Sequence, residues 1–198
     1  MRIIGGSRRG RRLVDWEESG IRPVRDFVRT ALFSIVSDFV PDAVCLDLYA
    51  GTGCLGLEAL SRGARSCLFV DQAREACGII RRNAEALGLL DASEVFEGDA
   101  VAAIDRFAGR GRRFDLVFID PPYFRGVVPQ VLMALAESGA LTTDPVVVAA
   151  VHKREKAENA YGRLIQVDRR RYGDNLLLFY RQAEEGETYE SRTGNQAP

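Results

Sequence analysis

The chain has 198 residues, 46% of them hydrophobic and 28% charged, with a formal net charge of −1 at pH 7. That length and balance fit one globular domain with a sizeable core and exclude collagen-like or wholly disordered chains. No apolar run approaches the roughly 20 residues needed to cross a bilayer. The basic opening MRIIGGSRRGRR lacks the apolar stretch of a secretory signal, so a cytoplasmic protein is expected, with no membrane partner.

The first 43 residues carry a concentrated positive charge. Residues 1–12 hold Arg2, Arg8, Arg9, Arg11 and Arg12 and no acid, and Arg22, Arg25 and Arg29 follow. This segment reads as a basic arm or small strand pair. A helix follows near Asp26–Phe39, where Phe27, Ala31, Ile35 and Phe39 recur four apart.

Residues 44–182 alternate short apolar runs with segments of helical period. Val44–Leu48 predicts a buried strand, followed by a glycine-rich turn and a helix near Leu55–Ser61. Cys67–Val70 predicts a second strand. Over Gln72–Leu87 the buried-face pattern of Ala76, Ile79, Ile80, Asn83 and Leu87 predicts a helix, closed by Gly88 as C-terminal cap. Ser93–Glu97 is a third strand and Val101–Phe107 a short helix. Phe114–Ile119 is a fourth strand, apolar enough for burial on both faces. Val127–Glu137 is helical, Val146–Val151 a fifth strand, and Arg163–Asp168 with Asn175–Arg181 a closing hairpin turned at Tyr172-Gly173-Asp174. Strands alternating with helices imply an α/β fold with a mainly parallel sheet, here seven-stranded with a C-terminal antiparallel hairpin. The polar stretch 183–198 predicts a disordered tail.

Cys45, Cys54, Cys67 and Cys77 form no C-x-x-C pair, and the sole histidine is His152. Free thiols are expected rather than disulfides, and no metal is expected.

Open parallel sheets bind ligands beyond the carboxyl ends of their strands, where the strand order reverses. Acids mark all four early strand ends: Asp47, Asp71, Asp99 and Asp120. The first turn, Asp47-Leu48-Tyr49-Ala50-Gly51-Thr52-Gly53-Cys54-Leu55-Gly56, matches G-x-G-x-x-G in spacing, which alone also fits a dinucleotide site. Asp71, ending the second strand, suits the two hydroxyls of a ribose. Asp47 would repel a pyrophosphate and suits instead a ligand with a cationic amino-acid end, such as S-adenosylmethionine. The fourth strand runs into Asp120-Pro121-Pro122-Tyr123. Prolines have no N–H and fix φ, so the carbonyls before them are rigid acceptors. With the Asp120 carboxylate and the Tyr123 ring, the segment suits a planar exocyclic amine.

These motifs resemble those of the class I S-adenosylmethionine-dependent methyltransferases with a D/N-P-P-Y motif, which have a Rossmann-like fold. More narrowly, the chain resembles the RsmD family, which methylates a guanine N2 in bacterial small-subunit ribosomal RNA. The likeness covers residues 1–180. It rests on Met1-Arg2-Ile3-Ile4-Gly5-Gly6 with Arg8 to Arg12, Gly20-Ile21-Arg22-Pro23, Asp26-Phe27-Val28-Arg29, the Asp47–Gly53 turn, Glu58 to Ala64, Phe69-Val70-Asp71, Asn83 and Asp120 to Tyr123. The resemblance implies a cofactor site of Asp47, Tyr49, Gly51, Thr52, Gly53, Asp71, Gln72, Asp99 and Ala100. In it Asp47 and the glycine turn hold the methionine part, Asp71 the ribose and Asp99 the adenine. It implies a catalytic segment of Asp120, Pro121, Pro122 and Tyr123. The substrate would be small-subunit ribosomal RNA or the assembling small subunit, contacted by Arg8, Arg9, Arg11, Arg12, Arg22 and Arg25. Two departures lie on the substrate side: Val24-Arg25 in place of a Thr-Thr pair, and His152 where an acid is expected. The competing readings are an adenine-N6 or protein-glutamine methyltransferase, and a non-catalytic RNA-binding assembly factor.

Overall fold

The computed structural model describes residues 1–14 and 26–183. The expectations for Arg22, Arg25 and the tail from residue 184 onward lie outside the described residues. In chain order the elements are α1 (Asp26–Ile35), β1 (Val44–Leu48), α2 (Cys54–Ser61), β2 (Ser66–Asp71), α3 (Arg74–Leu87), β3 (Ser93–Glu97) and α4 (Ala100–Ala108). Then come β4 (Phe114–Ile119), α5 (Val128–Ser138), β5 (Leu141–His152), β6 (Ala160–Tyr161), β7 (Leu164–Tyr172) and β8 (Asn175–Gln182).

One sheet runs in the order β3-β2-β1-β4-β5-β8-β7-β6. The first five strands pair in parallel; β8, β7 and β6 join antiparallel. This is the Rossmann-like arrangement, with its strand order reversing between β1 and β4. Helices α1, α2 and α3 pack on one face around Phe33, Leu57, Phe69 and Phe118. Helices α4 and α5 cover the other around Leu48, Phe107, Val117 and Leu132. Both faces being covered explains why β4 is apolar at nearly every position.

Strand β7 runs four residues past its expected end at Asp168, to Tyr172, and three further elements differ from expectation. The sheet has eight strands rather than seven, because the two-residue β6 pairs with β7 and is too short to display a period. Strand β5 starts five residues earlier than its Val146 core, since Asp144-Pro145 reads as a break in sequence. The register shift between Phe114 and Leu116 on the neighbouring strand accommodates that segment as a bulge. Helix α1 stops at Ile35, and a 3-10 turn over Ser37–Phe39 completes the predicted span.

The N-terminal arm is a single-bridge strand pair, Arg2 opposite Arg12, and it is packed into the core. Ile3 is fully buried and Leu13 nearly so, both in the cluster that contains Leu57 and Ile80. Three buried polar side chains fasten it. Glu58 accepts from the Ile4 N–H (2.8 Å) and from Arg62 Nε (2.7 Å). Ser61 Oγ donates to the Gly5 carbonyl (2.6 Å). Asn83 accepts from the Val14 N–H (2.7 Å) and donates to the Val14 and Thr52 carbonyls (3.2 and 3.0 Å). Buried polar groups are tolerated when their hydrogen bonds are made, as these are. The arm therefore shares one core with the sheet. All four cysteines are free and buried, and burial pushes the Cys54 thiol up to about 12.

Candidate active site

The glycine turn after β1 is built from below by Asp47. Its carboxylate lies beneath the turn, 1% exposed, and Oδ2 accepts the Gly56 N–H at 2.8 Å. Burial, then the neighbouring Asp120 and Asp71 charges, raise its pKa well above the usual carboxylate value. Asp47, expected at the methionine part, thus also braces the turn through this oxygen.

The glycines divide the work. Gly51 has φ +56, and a Cβ built there would meet nothing within 4 Å, so its backbone borders open space. Gly56 lies inside α2, where a Cβ would come within 2.3 Å of the Phe69 ring and 2.5 Å of Cys67 Sγ. It permits α2 to lie close on β2. Gly56→Ala forces that packing apart and is expected to cost about 1–3 kcal/mol, read by denaturant unfolding.

Asp71 ends β2 with each oxygen engaged. Oδ2 accepts the Gly51 N–H and Oδ1 the Ala73 N–H, both at 2.9 Å. Each carboxylate oxygen retains a second lone pair for a hydroxyl. Asp99 precedes Ala100 as the N-cap of α4, Oδ1 accepting the Ala102 N–H at 3.0 Å while Oδ2 accepts from Gln72 Nε2 at 3.0 Å. Tyr49, in a left-handed backbone (φ 59), has its hydroxyl pKa raised by burial and by the Asp99 charge. Hydrogen bonds from Gly51 to Asp71 and from Gln72 to Asp99, with Tyr49 close to the Asp99 charge, thus gather these five residues at the ends of β1, β2 and β3. The donor set is acidic, rich in acceptors for hydroxyl and amino groups, and backed by backbone in open space. It fits a cationic nucleoside such as S-adenosylmethionine, and offers little to a pyrophosphate.

Across the switch point, Asp120 follows β4, tied to β1 by its N–H, which donates to the Leu48 carbonyl (3.4 Å). Burial raises its carboxyl to about 7. Pro121 is buried and Pro122 exposed. The Tyr123 hydroxyl bonds Asn175 Oδ1, and burial followed by the Asp120, Glu155 and Asp174 charges pushes it up to about 12. The Tyr123 ring lies 5.6 Å from that of His152, and Phe124 packs 4.7 Å from the same imidazole. Phe124 is 64% exposed and held at φ 60, with its N–H bonded to Glu155 Oε1 at 3.0 Å. A non-glycine residue in that region is strained and persists only where its surroundings fix it.

Sequence reasoning named Tyr123 and passed over Phe124, Glu155 and Asn175. Asn175 opens β8, opposite His152 in the antiparallel register, and only that pairing carries it to Tyr123. Phe124, adjoining the motif, was the one with a visible signal. His152, standing where the resemblance led one to expect an acid, forms the wall of this platform.

The arginines expected on RNA are split. Arg8 Nε donates to the Leu87 carbonyl (2.6 Å) and Arg11 Nη2 to the Ala86 carbonyl (2.9 Å). These are end-of-helix carbonyls of α3, which have no partner within the helix and attract cations. Arg9 and Arg12 stand exposed.

A family model described as conserved hypothetical protein 95 matches residues 1–181. The chain is similar to Ribosomal RNA small subunit methyltransferase D of Escherichia coli K12, 35% identical over 80% of this chain and 76% of that protein. It is also similar to YlbH of Bacillus subtilis, 32% identical over 91% of this chain and 98% of the relative. The solved structure of Escherichia coli yhhF superposes with a TM-score of 0.79 at 29% identity, over 92% of this chain and 98% of that one. Agreement of sequence and fold over nearly the whole described length leads to one assignment: the chain belongs to the conserved hypothetical protein 95 family, alongside the ribosomal RNA small subunit methyltransferase D proteins it resembles.

Proposed function

We propose that this chain transfers a methyl group from S-adenosylmethionine to the exocyclic N2 amine of a guanine in small-subunit ribosomal RNA, free or in an assembling subunit, in the cytoplasm. The observation that carries the reading is the placement of Asp120-Pro121-Pro122-Tyr123 across the switch point from Asp71 and Asp99. Two acceptors and an aromatic face there adjoin a cleft suited to a cationic nucleoside. Among the described residues no helix is long and apolar enough to cross a membrane.

When bound, S-adenosylmethionine supplies an electrophilic methyl on a sulfonium. The chain's residues then have three tasks. Asp71, Gln72 and Asp99 hold ribose and adenine. The Asp120 carboxylate and the Pro121 carbonyl accept the two amino hydrogens of the base, drawing its lone pair out of the ring and stabilising the positive charge that develops on nitrogen. Tyr123 stacks on the base, a contact worth about 1–3 kcal/mol, which helps hold it out of the RNA stack. The Asp120 carboxylate would also take up the surplus amino proton once the nitrogen carries the methyl group. Holding both reactants in line supplies much of the acceleration.

The direct test incubates the protein with labelled donor and small subunits lacking the modification, then maps the methylated base. Label on a guanine N2 of the small-subunit RNA supports the proposal; label on an adenine N6 or on protein alone, or none, overturns it.

The arm supplies phosphate contacts through Arg9 and Arg12. Deleting residues 2–12 would strip Ile3 from the core, so substitution is the cleaner probe. Arg9→Ala/Arg12→Ala is expected to weaken RNA binding at unchanged melting temperature. It should also lower the slope of log affinity against log salt by about one for each phosphate no longer neutralised. Arg8→Ala is expected to lower the melting temperature instead. RNA affinity and salt slope unchanged in the double variant would remove Arg9 and Arg12 from the interface.

A further inference from the structure

Beyond the platform, the closing hairpin carries a second concentration of charge. Strand β7 ends Asp168-Arg169-Arg170-Arg171-Tyr172, and strand alternation sorts it by face. Asp168 pairs with Arg170 (2.9 Å). Arg169 and Arg171 point the other way, opposite Leu178 and Leu176 in the register. That face belongs to the core under α4 and α5, but at this end of the strands it opens into a hollow of about 460 Å³ lined by Lys153, Arg154, Arg169, Arg171 and Leu176.

Four cations converge there with one acid, Asp174, whose carboxylate bonds Lys153 Nζ at 2.8 Å. Arg171 spends its Nε on the Gly173 carbonyl (3.1 Å) and keeps its terminal nitrogens. Arg154 and Arg169 are exposed, and no ion pair of theirs occurs among the described residues. Like charges held this close repel one another, and a bound anion relieves that repulsion.

Position says which anion. Lys153 follows His152 and Leu176 follows Asn175, the two residues that frame Tyr123. Lys153 and Leu176 thus flank the His152–Asn175 pair on its two sides, and strand alternation turns Leu176 to the face opposite Asn175. We propose that this hollow is a phosphate cradle for the RNA strand entering or leaving the platform, holding an internucleotide phosphate next to the target nucleotide through Arg169 and Arg171. The inference rests on the RNA reading given above and adds to it a contact surface at the far end of the chain from the basic arm. A backbone gripped on the other side of the strand edge gives leverage for keeping a base out of its stack, whatever its identity.

The test uses full-length Arg169→Ala/Arg171→Ala protein, with melting temperature and S-adenosylmethionine affinity as controls expected to match the native protein. Binding to protein-free small-subunit RNA is measured by titration at several salt concentrations, and methyl transfer to small subunits by steady-state kinetics. The expected result is at least about a tenfold loss of RNA affinity, with a salt slope lower by about 1–2. In kinetics KM for the subunit rises while kcat at saturation stays near native. RNA affinity and salt slope equal to those of the native protein overturn the cradle. A native protein that binds RNA yet methylates none of it refutes the proposed function, and the binding comparison still decides the hollow. If the double variant melts early, Arg169→Gln/Arg171→Gln, which keeps length and polarity without charge, replaces it and is read in the same way.

Discussion

Asp120→Ala is expected to lower methyl transfer by about 10²–10³-fold or more while leaving S-adenosylmethionine affinity near native. The size follows from the place proposed for it, as one of the two acceptors for the reacting amine, across the switch point from the groups proposed to hold the nucleoside. Asp120→Asn separates shape from charge. It keeps one acceptor oxygen, presents an N–H₂ to the base, and is expected to be nearly as inactive. The carboxyl of Asp120 is raised by burial to about 7. It accepts hydrogen bonds in full only when ionised, so kcat/KM should climb with pH and level off above about 7. Stability moves the opposite way. A carboxyl with its folded pKa raised from 3.8 holds its proton more tightly in the native state. It favours folding below about pH 4, and that contribution disappears as pH rises through about 7. Asp120→Asn, which cannot ionise, should therefore melt higher than the native protein at pH 8, with the difference shrinking toward pH 4. A flat pH–rate profile, or turnover by Asp120→Ala near the native level, is incompatible with the role assigned to this residue.

The second large effect is on Asp71. Its two oxygens hold the Gly51 and Ala73 N–H groups, and in the proposed site they are also the acceptors for the ribose. Hydrogen bonds to a charged group are worth about 1.5–3 kcal/mol each. Losing the ribose pair should weaken the donor by about 100-fold or more, since each 1.4 kcal/mol is about tenfold. The glycine turn loses an anchor at the same time. Asp71→Asn retains one oxygen, so it should fall between the alanine variant and the native protein. Calorimetric titration with S-adenosylhomocysteine measures this without turnover. An affinity unchanged by Asp71→Ala would take the residue out of the cofactor site.

The cofactor half of the site is far more legible in the sequence than the substrate half, and the reason is local. Asp71, Gly51 and Asp99 each stand where a predicted strand ends, so element boundaries suffice to place them on one rim. Asp47 shows the limit of that reasoning: that a strand-end acid also braces the turn is visible only in its bond to Gly56. Asn175 and Glu155 are invisible because their partners lie far along the chain, 52 and 31 residues from Tyr123 and Phe124. Arg8 illustrates a different blindness. A run of arginines reads as a single electrostatic patch, yet the carbonyls ending α3 had already claimed Arg8 and Arg11. The hairpin arginines were passed over for the converse reason: the alternation that pairs Arg170 with Asp168 and turns Arg169 and Arg171 to the other face appears only once a strand is in register.

The reversal of strand order between β1 and β4 has a kinetic corollary. In the proposed site the groups for the donor hang from β1, β2 and β3 and those for the target base from β4, β5 and β8, with the phosphate contacts apart on the arm and on β7. Each reactant can then dock without waiting for its counterpart, so initial-velocity plots should show a random sequential pattern. A lesion on either flank should burden the Michaelis constant of its own reactant and spare the other's.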